Sequence, residues 1–239
     1  MSKNGYGQYC PISMTAELLC TRWTMLIVRE LLNGSTRFNE LRRGLARMSP
    51  ALLSRRLKEL EMTGIVDRKR LRGGGDLYEY KLTEAGGALG EVVKAFAVWG
   101  QTWVEEQATL DNASIDHLMW ELQQHARPGK VPKIPSVVNF LFEEQPKSKS
   151  RWWLLFESLE KAEVCHDDPG REVDLYVATD VVTLTAIWLG ITDAKRAITK
   201  GSLVLTGDRQ LAGSMQGWLG LSPVASLAKR GGVRLLDER

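Results

Sequence analysis

The sequence predicts an α+β protein of two domains. Three observations carry that prediction. Residues 8–108 read as short helix-periodic runs broken by one Gly-rich hairpin, whereas residues 112–222 hold strand-like runs followed by helices. Composition and charge also change near Leu110. With 44% apolar and 26% charged residues over 239 positions, the chain can bury a core in each half and is not of the disordered class.

The net charge is only +3, but it is unevenly placed. From Arg37 to Lys81 there are 12 basic and 6 acidic residues, a net of +6, while from Thr109 onward 16 basic face 17 acidic, a net of −1. A polyanionic partner is therefore expected to meet the first third of the chain. Cys10, Cys20 and Cys165 are too few and too scattered for a disulfide framework or a zinc site, so no metal is expected. The opening MSKNGYGQYCPIS has no apolar run, and no stretch of about 18 apolar residues occurs. These readings imply a cytoplasmic chain with reduced thiols and no membrane partner.

In the first domain, Met14, Leu18 and Leu19 share one helix face, which ends at Cys20-Thr21. Thr21 is placed to cap a second helix, RWTMLIVRELL, with Trp23, Leu26, Ile27 and Leu31 inward and Asn33-Gly34 as its stop. TRF reads as a short strand, and FNELRRGLA as an amphipathic helix burying Phe38, Leu41 and Leu45. Ser49 then caps a helix over 50–63, with Pro50 in its first turn, where the missing N–H costs nothing. Leu53, Leu57 and Leu60 form its buried stripe, leaving Ala51, Ser54, Arg55 and Lys58 on the opposite side. Two strands within 66–82 flank the tip LRGGGD. Thr83-Glu84 opens a long helix to about Gln107, lined by Leu89, Val92, Val93, Phe96, Trp99 and Trp103.

A short helix, a tight turn, a capped helix and a basic hairpin describe a winged helix-turn-helix. A helix of roughly 10–12 Å diameter fits the major groove of B-DNA. Ser49, Ala51 and Ser54 are small enough for close approach to base edges, and Arg55 and Lys58 reach bases or phosphates. Arg70 and Arg72 are placed to touch backbone or enter the minor groove. Taken singly, each of these charges also fits a solvated face; their ordered combination points to double-stranded DNA.

The stretch from Cys10-Pro11 through Trp23-x3-Ile27, Arg37-Phe38-Asn39-Glu40-Leu41, Ser49-Pro50, Leu53-Ser54-x-Arg56-Leu57 and Leu60-Glu61 resembles the HxlR family of bacterial winged-helix transcription regulators. Tyr80-x-Leu82-Thr83-x-x-Gly86 and Trp99-Gly100 match as well, so the resemblance covers about residues 8–108. It implies a homodimer joined through the first and last helices of the domain and a two-fold symmetric operator. Gly73-Gly74-Gly75 departs from the Pro-containing wing tip common in that family. The apolar residues of the last helix agree with dimerisation, or with packing inside one chain. The resemblance also marks Cys10 as a candidate redox sensor; its neighbourhood in sequence, with only Lys3 as a charge, supplies no independent case for a reactive thiolate.

In the second domain, DNASIDHLMWELQQHA reads as a helix, followed by the Pro-rich RPGKVPKIPS. VVNFLFEE, RWWLLFES, KAEVCH and EVDLYVATD read as strands, VVTLTAIWLG and DAKRAITKG as helices, SLVLTGD as a last strand, and RQLAGSMQGWLG as a helix capped by Asp208. An antiparallel sheet is expected. The runs EVDLYVATDVVTLTAIWLG and AITKGSLVLTGDRQLAGSMQGWL resemble the sterol-carrier-protein-like fold over about 112–222. That resemblance implies helices over a five-stranded sheet, and a hydrophobic small-molecule effector held among Leu184, Ile187, Trp188, Met215 and Trp218; the same stripes equally describe a filled core.

Cys165-His166-Asp167-Asp168 are consecutive, so they converge poorly on one ion and read as a polar turn. No P-loop, G-x-S-x-G or H-E-x-x-H motif is present, so neither a cofactor nor catalysis is expected. The sequence therefore points to a DNA-binding regulator, with a lipid-binding or lipid-transfer protein as the alternative.

Overall fold

The computed structural model describes residues 5–71 and 77–234. The chain divides into two compact units, Met1–Phe96 and Ala97–Arg239.

The first unit begins with α1 (Pro11–Leu19), α2 (Thr24–Leu32), α3 (Phe38–Gly44) and α4 (Pro50–Met62). The hairpin β1 (Val66–Arg70) and β2 (Tyr78–Leu82) follows, then α5 (Glu84–Ala88) and α6 (Gly90–Trp103), within which the two units divide. Leu53, Leu57 and Leu60 of α4 pack with Ile27, Val28, Leu41, Leu45 and Val66 in one core. Burial of such a side chain contributes roughly 1.5–3 kcal/mol, so this leucine stripe determines which side of α4 faces out. The hairpin is antiparallel, with Val66 opposite Leu82 and Arg70 opposite Tyr78.

Three local expectations are corrected. Thr21 does not cap α2: its carbonyl accepts the Thr24 amide at 3.1 Å, and Trp23 sits at φ 81, which stops the helix from starting earlier. Leu26, expected inward, is 41% exposed, and Val28 takes the buried place. The TRF strand shrinks to one bridge, Arg37 with Glu79, reinforced by Tyr80 N–H donating to the Thr36 carbonyl at 2.8 Å. The expected long helix is also interrupted twice. It breaks at Leu89, after a turn containing Gly86 and Gly87, and again at Val104, where the backbone instead bridges Val233 in parallel. The Glu105 amide then donates to the Val233 carbonyl at 3.0 Å, a partner outside the helix ladder.

The second unit contains α7 (Glu106–Asp111), α8 (Ile115–His125) and a 3-10 turn at Pro128–Lys130. There follow β3 (Ser136–Leu141), β4 (Arg151–Phe156), β5 (Glu163–Cys165) and β6 (Leu175–Thr179). It ends with α9 (Val181–Trp188), α10 (Ala194–Lys200), β7 (Leu203–Gly207), α11 (Arg209–Gly213) and α12 (Met215–Leu219). Asp208 caps α11 as expected, its carboxylate accepting the Gln210 and Leu211 amides at 2.8 Å. The helix expected after it breaks at Ser214.

The five strands lie in the order β5-β4-β3-β6-β7. The expected antiparallel sheet is corrected here: β3 and β6 run parallel, so the sheet is mixed. Chain that leaves the β5 edge returns to the free side of β3, and only a crossover of this kind makes parallel neighbours. Asp174 holds the junction. Its amide donates to the Val137 carbonyl at 2.9 Å, its carboxylate accepts the Val137 amide at 2.8 Å, and its carbonyl accepts the Asp208 amide at 2.8 Å. β4 is apolar on both faces: Leu154 and Phe156 join the main core, while Trp153 and Leu155 join a smaller cluster with Val137.

A β-carbon at Gly86 would lie 2.2 Å from the Ile65 carbonyl oxygen, whereas at Gly87 it meets nothing within 4 Å. Gly86→Ala is therefore expected to destabilise the first unit by about 1–3 kcal/mol, and Gly87→Ala by less than about 0.5 kcal/mol. Urea unfolding of the two variants checks this; equal midpoints would contradict it.

Candidate nucleic-acid interface

The candidate interface is built on α3, α4 and the hairpin. Glu40 organises the start of α3, its Oε2 accepting the Thr36 and Arg37 amides at 2.8 and 2.9 Å. A turn closed by Met48 N–H donating to the Leu45 carbonyl at 2.8 Å leads into α4. Ser49 caps α4, Oγ accepting the Leu52 amide at 3.3 Å, and Pro50 is its first residue. Leu41 and Leu45 on one side of the turn and Leu53 and Leu57 on the other lie in the same core, which fixes the two helices against each other.

Ser49, Ala51, Ser54, Arg55 and Lys58 are all exposed, the last four along the outward side of α4. This follows directly from the buried leucines, because residues three and four apart share a helix face. Arg70 is exposed at the end of β1, cross-strand from Tyr78. Arg72 lies outside the described residues. Arg42 and Arg43 at the end of α3 and Arg47 in the turn are also exposed. The sequence reading counted these three in its charge balance without assigning them to the interface. The signal was available: the α3 period that buries Leu41 turns both neighbouring arginines outward.

The basic residues differ in how they are held. The Arg68 guanidinium lies 3.6 Å from the centroid of the Tyr78 ring, a cation–π contact within the hairpin. Burial pushes the neighbouring Tyr80 hydroxyl above its usual range, and the Arg68 charge works against that rise. Arg68 is thus committed to the hairpin's own structure. On α4, Arg55 Nε stands 3.8 Å from Glu59 Oε1, and Arg56 pairs with Glu59 Oε2. Arg55 is 63% exposed, and pairs that open to water contribute little, about 0–1 kcal/mol.

Outside this surface, Cys10 precedes α1 and is partly buried, while Cys20 follows α1 and is exposed. In the second unit, Leu184, Ile187, Trp188, Met215 and Trp218 are each at most 5% exposed and belong to the main core. Trp218 Nε1 donates to the Leu211 carbonyl at 2.8 Å. Burial, followed by the charges of Glu163 and Asp167, raises the Cys165 thiol pKa, which disfavours a thiolate nucleophile there. Among the described residues, no group of three or more His, Cys, Asp or Glu is placed to hold a metal ion, and no helix is long and apolar enough to cross a membrane.

A family model described as HxlR-like helix-turn-helix matches residues 18–108. The Bacillus subtilis protein named uncharacterized HTH-type transcriptional regulator YvaP is 38% identical over 100 residues, spanning 41% of this chain and 93% of that protein. A Synechocystis protein named uncharacterized HTH-type transcriptional regulator sll1512 is 33% identical over 102 residues, spanning 43% of this chain and 76% of that one. Among solved structures, the reduced form of the transcriptional regulator YodB from B. subtilis is 37% identical, covering 39% of this chain and 93% of that chain with a TM-score of 0.35. The capped α4, its leucine stripe and the hairpin all fall within the matched residues, and through them the chain belongs to the HxlR-like helix-turn-helix family.

Proposed function

We propose that the chain is a dimeric, sequence-specific, DNA-binding transcription regulator. In this reading α4 enters the major groove, and the hairpin lies on the backbone or in the minor groove. The observation that carries it is the outward side of α4, with small residues at the N-terminal end, basic ones after them, and no bulky apolar side chain among Ala51, Ser54, Arg55 and Lys58. Small residues let base edges come close, and the arginine fork matches guanine bidentately. The names of the relatives support the same reading.

The dimer reading is supported by apolar surface that the first unit leaves open. A groove of about 660 Å³ is lined by residues of α1, α2 and α6, among them Ile12, Leu26, Val92 and Phe96. Ile12 is 80% exposed and Phe96 59%. Two copies joined here would present two α4 helices to one palindromic site, and bivalence of that kind multiplies affinity by about 10²–10⁴.

For the second unit, we propose a sterol-carrier-like domain of residues 112–222. Its five strands and the apolar helices over one face support that reading. An apolar effector would lie among Leu184, Ile187, Trp188, Met215 and Trp218. Native mass spectrometry of the purified chain is expected to retain such a molecule. Cys10 enters the proposal as a redox sensor; Cys10→Ser is then expected to abolish any diamide response of operator binding.

Binding to a cognate duplex is expected to weaken as salt rises, and Arg55→Ala to cost about 1–3 kcal/mol with relaxed preference at one base pair. Fluorescence anisotropy against matched and scrambled duplexes measures both; equal affinity for the two would remove the regulator reading. Ser49 separates stability from contact. Ser49→Ala is expected to lose about 0.5–2 kcal/mol of stability with its cap, while Ser49→Asp keeps the cap and adds a charge that repels phosphate. Thermal melts and anisotropy on the pair distinguish these effects. Phe96→Asp is expected to yield monomers in sedimentation equilibrium and to weaken operator binding at least 10²-fold; an intact dimer would displace the interface from this groove.

A further inference from the structure

We infer that residues 229–234 form a releasable strap that keeps α6 and α7 apart, and that residues 90–111 become one continuous helix when the strap lifts. Residues 101–111, QTWVEEQATLD, contain neither glycine nor proline, and helical spacing predicts a single helix to about Gln107. The break at Val104 and Glu105 is therefore not encoded around it. Glu105, which precedes α7, has φ −57 and ψ 141 and gives that helix no side-chain cap. The strap supplies the bonds that the local sequence does not. The Arg230 and Gly231 amides donate to the Thr102 carbonyl at 2.7 and 3.0 Å, and the Val233 amide donates to the Trp103 carbonyl at 3.0 Å. The Glu105 amide donates to the Val233 carbonyl at 3.0 Å. In a continuous helix the same groups would bond along the ladder, the Thr102 carbonyl with the Glu106 amide, Trp103 with Gln107, and the Glu105 amide with the Gln101 carbonyl. Strap and helix thus compete for one set of backbone groups, and either state satisfies them. Side chains reinforce the strap without locking it. Arg234 Nε donates to Glu105 Oε1 at 3.1 Å, but the arginine is 83% exposed, and pairs so open to water contribute little. The Arg230 guanidinium lies 5.6 Å from the centroid of the Trp103 ring. Lys229 Nζ donates to Thr109 Oγ1 at 3.1 Å; burial lowers its pKa against the Glu106 charge, so desolvation opposes the seating of this ammonium. Ordering the strap's backbone also costs entropy that the continuous helix avoids. The two units divide within α6, so the strap governs the path by which the chain leaves the helix that carries Val92 and Phe96.

Two variants of the full chain push this equilibrium in opposite directions, and residue-resolved hydrogen exchange reads it. Gly231 has φ 71, and a β-carbon there meets nothing within 4 Å, so Gly231→Val strains the strap's backbone without removing a side-chain contact. It is expected to speed exchange of the Arg230 and Val233 amides about 10-fold, and to slow the Glu106 and Gln107 amides, which acquire ladder acceptors, by about as much. Glu106→Pro does the reverse. Glu106 is exposed and is the first residue of α7, where proline is tolerated, whereas inside a continuous helix the ring would break the ladder. Strap amides in this variant are expected to exchange at least about 3-fold more slowly than in the unmutated chain. In the double variant the protection of Gln107 is expected to vanish. Exchange of β3 amides and thermal melts check that the second unit stays folded. Unchanged or faster exchange of Glu106 and Gln107 in Gly231→Val would mean fraying in place of conversion, and overturns the inference. Unchanged strap exchange in Glu106→Pro overturns it as well.

Discussion

The first unit depends on the burial of Leu53, Leu57 and Leu60 beneath α4. Removing any one of them from this core is the kind of change that costs about 2–5 kcal/mol, but their influence is also directional. Because the stripe can face only the core, Ser54, Arg55 and Lys58 between its members face water, and the outward side of α4 is oriented without any polar contact having to orient it. Ser49 and Pro50 then fix where the helix begins, so that rotation and starting point are both determined. The hairpin is anchored in the same core through Val66 and Tyr80, and the Arg37–Glu79 bridge ties it to the entrance of α3. One apolar core thus positions all three parts of the surface.

Much of this was legible in the sequence because it is written in local chemistry. The cap at Ser49, the stop at Asn33-Gly34, and the two hairpin strands each depend on residues within a few positions of one another. The errors arose where a distant partner intervened. The helix ends at Val104, where Val233 bonds the flanking Trp103 carbonyl and Glu105 amide, and no pattern around Val104 announces that. Trp23 adopts a left-handed conformation that bulky residues rarely take, so Thr21 looked like a better cap than it is. Leu26 shows the complementary case: helical spacing marks it as core, while the helix has more apolar positions than its own unit buries.

In the second unit, the apolar runs identified the strands and could not identify their neighbours. The two apolar faces of β4 follow from its composition, whereas the parallel pairing of β3 with β6 does not. A strand's pattern records what lies above and below the sheet. What lies beside it is recorded only in backbone hydrogen bonds, which every residue but proline can make. For the same reason, the side chains offered as an effector site look alike in sequence whether they line a cavity or fill one.

The position of β3 has a consequence for how the chain is made. As the central strand it lies between β4, which follows it closely, and β6, preceded by Asp174, which meets Val137 across 37 residues of sequence. The sheet is completed only when β7, at Leu203–Gly207, arrives at the far edge. During synthesis, the first unit leaves the ribosome with its short-range contacts ready to form, while β3 waits with one side unpaired. An unpaired apolar strand of this kind is the segment at which a nascent or heat-stressed chain is most exposed to a neighbour's backbone. Aggregation of this protein should therefore begin in the half that does not carry the candidate interface.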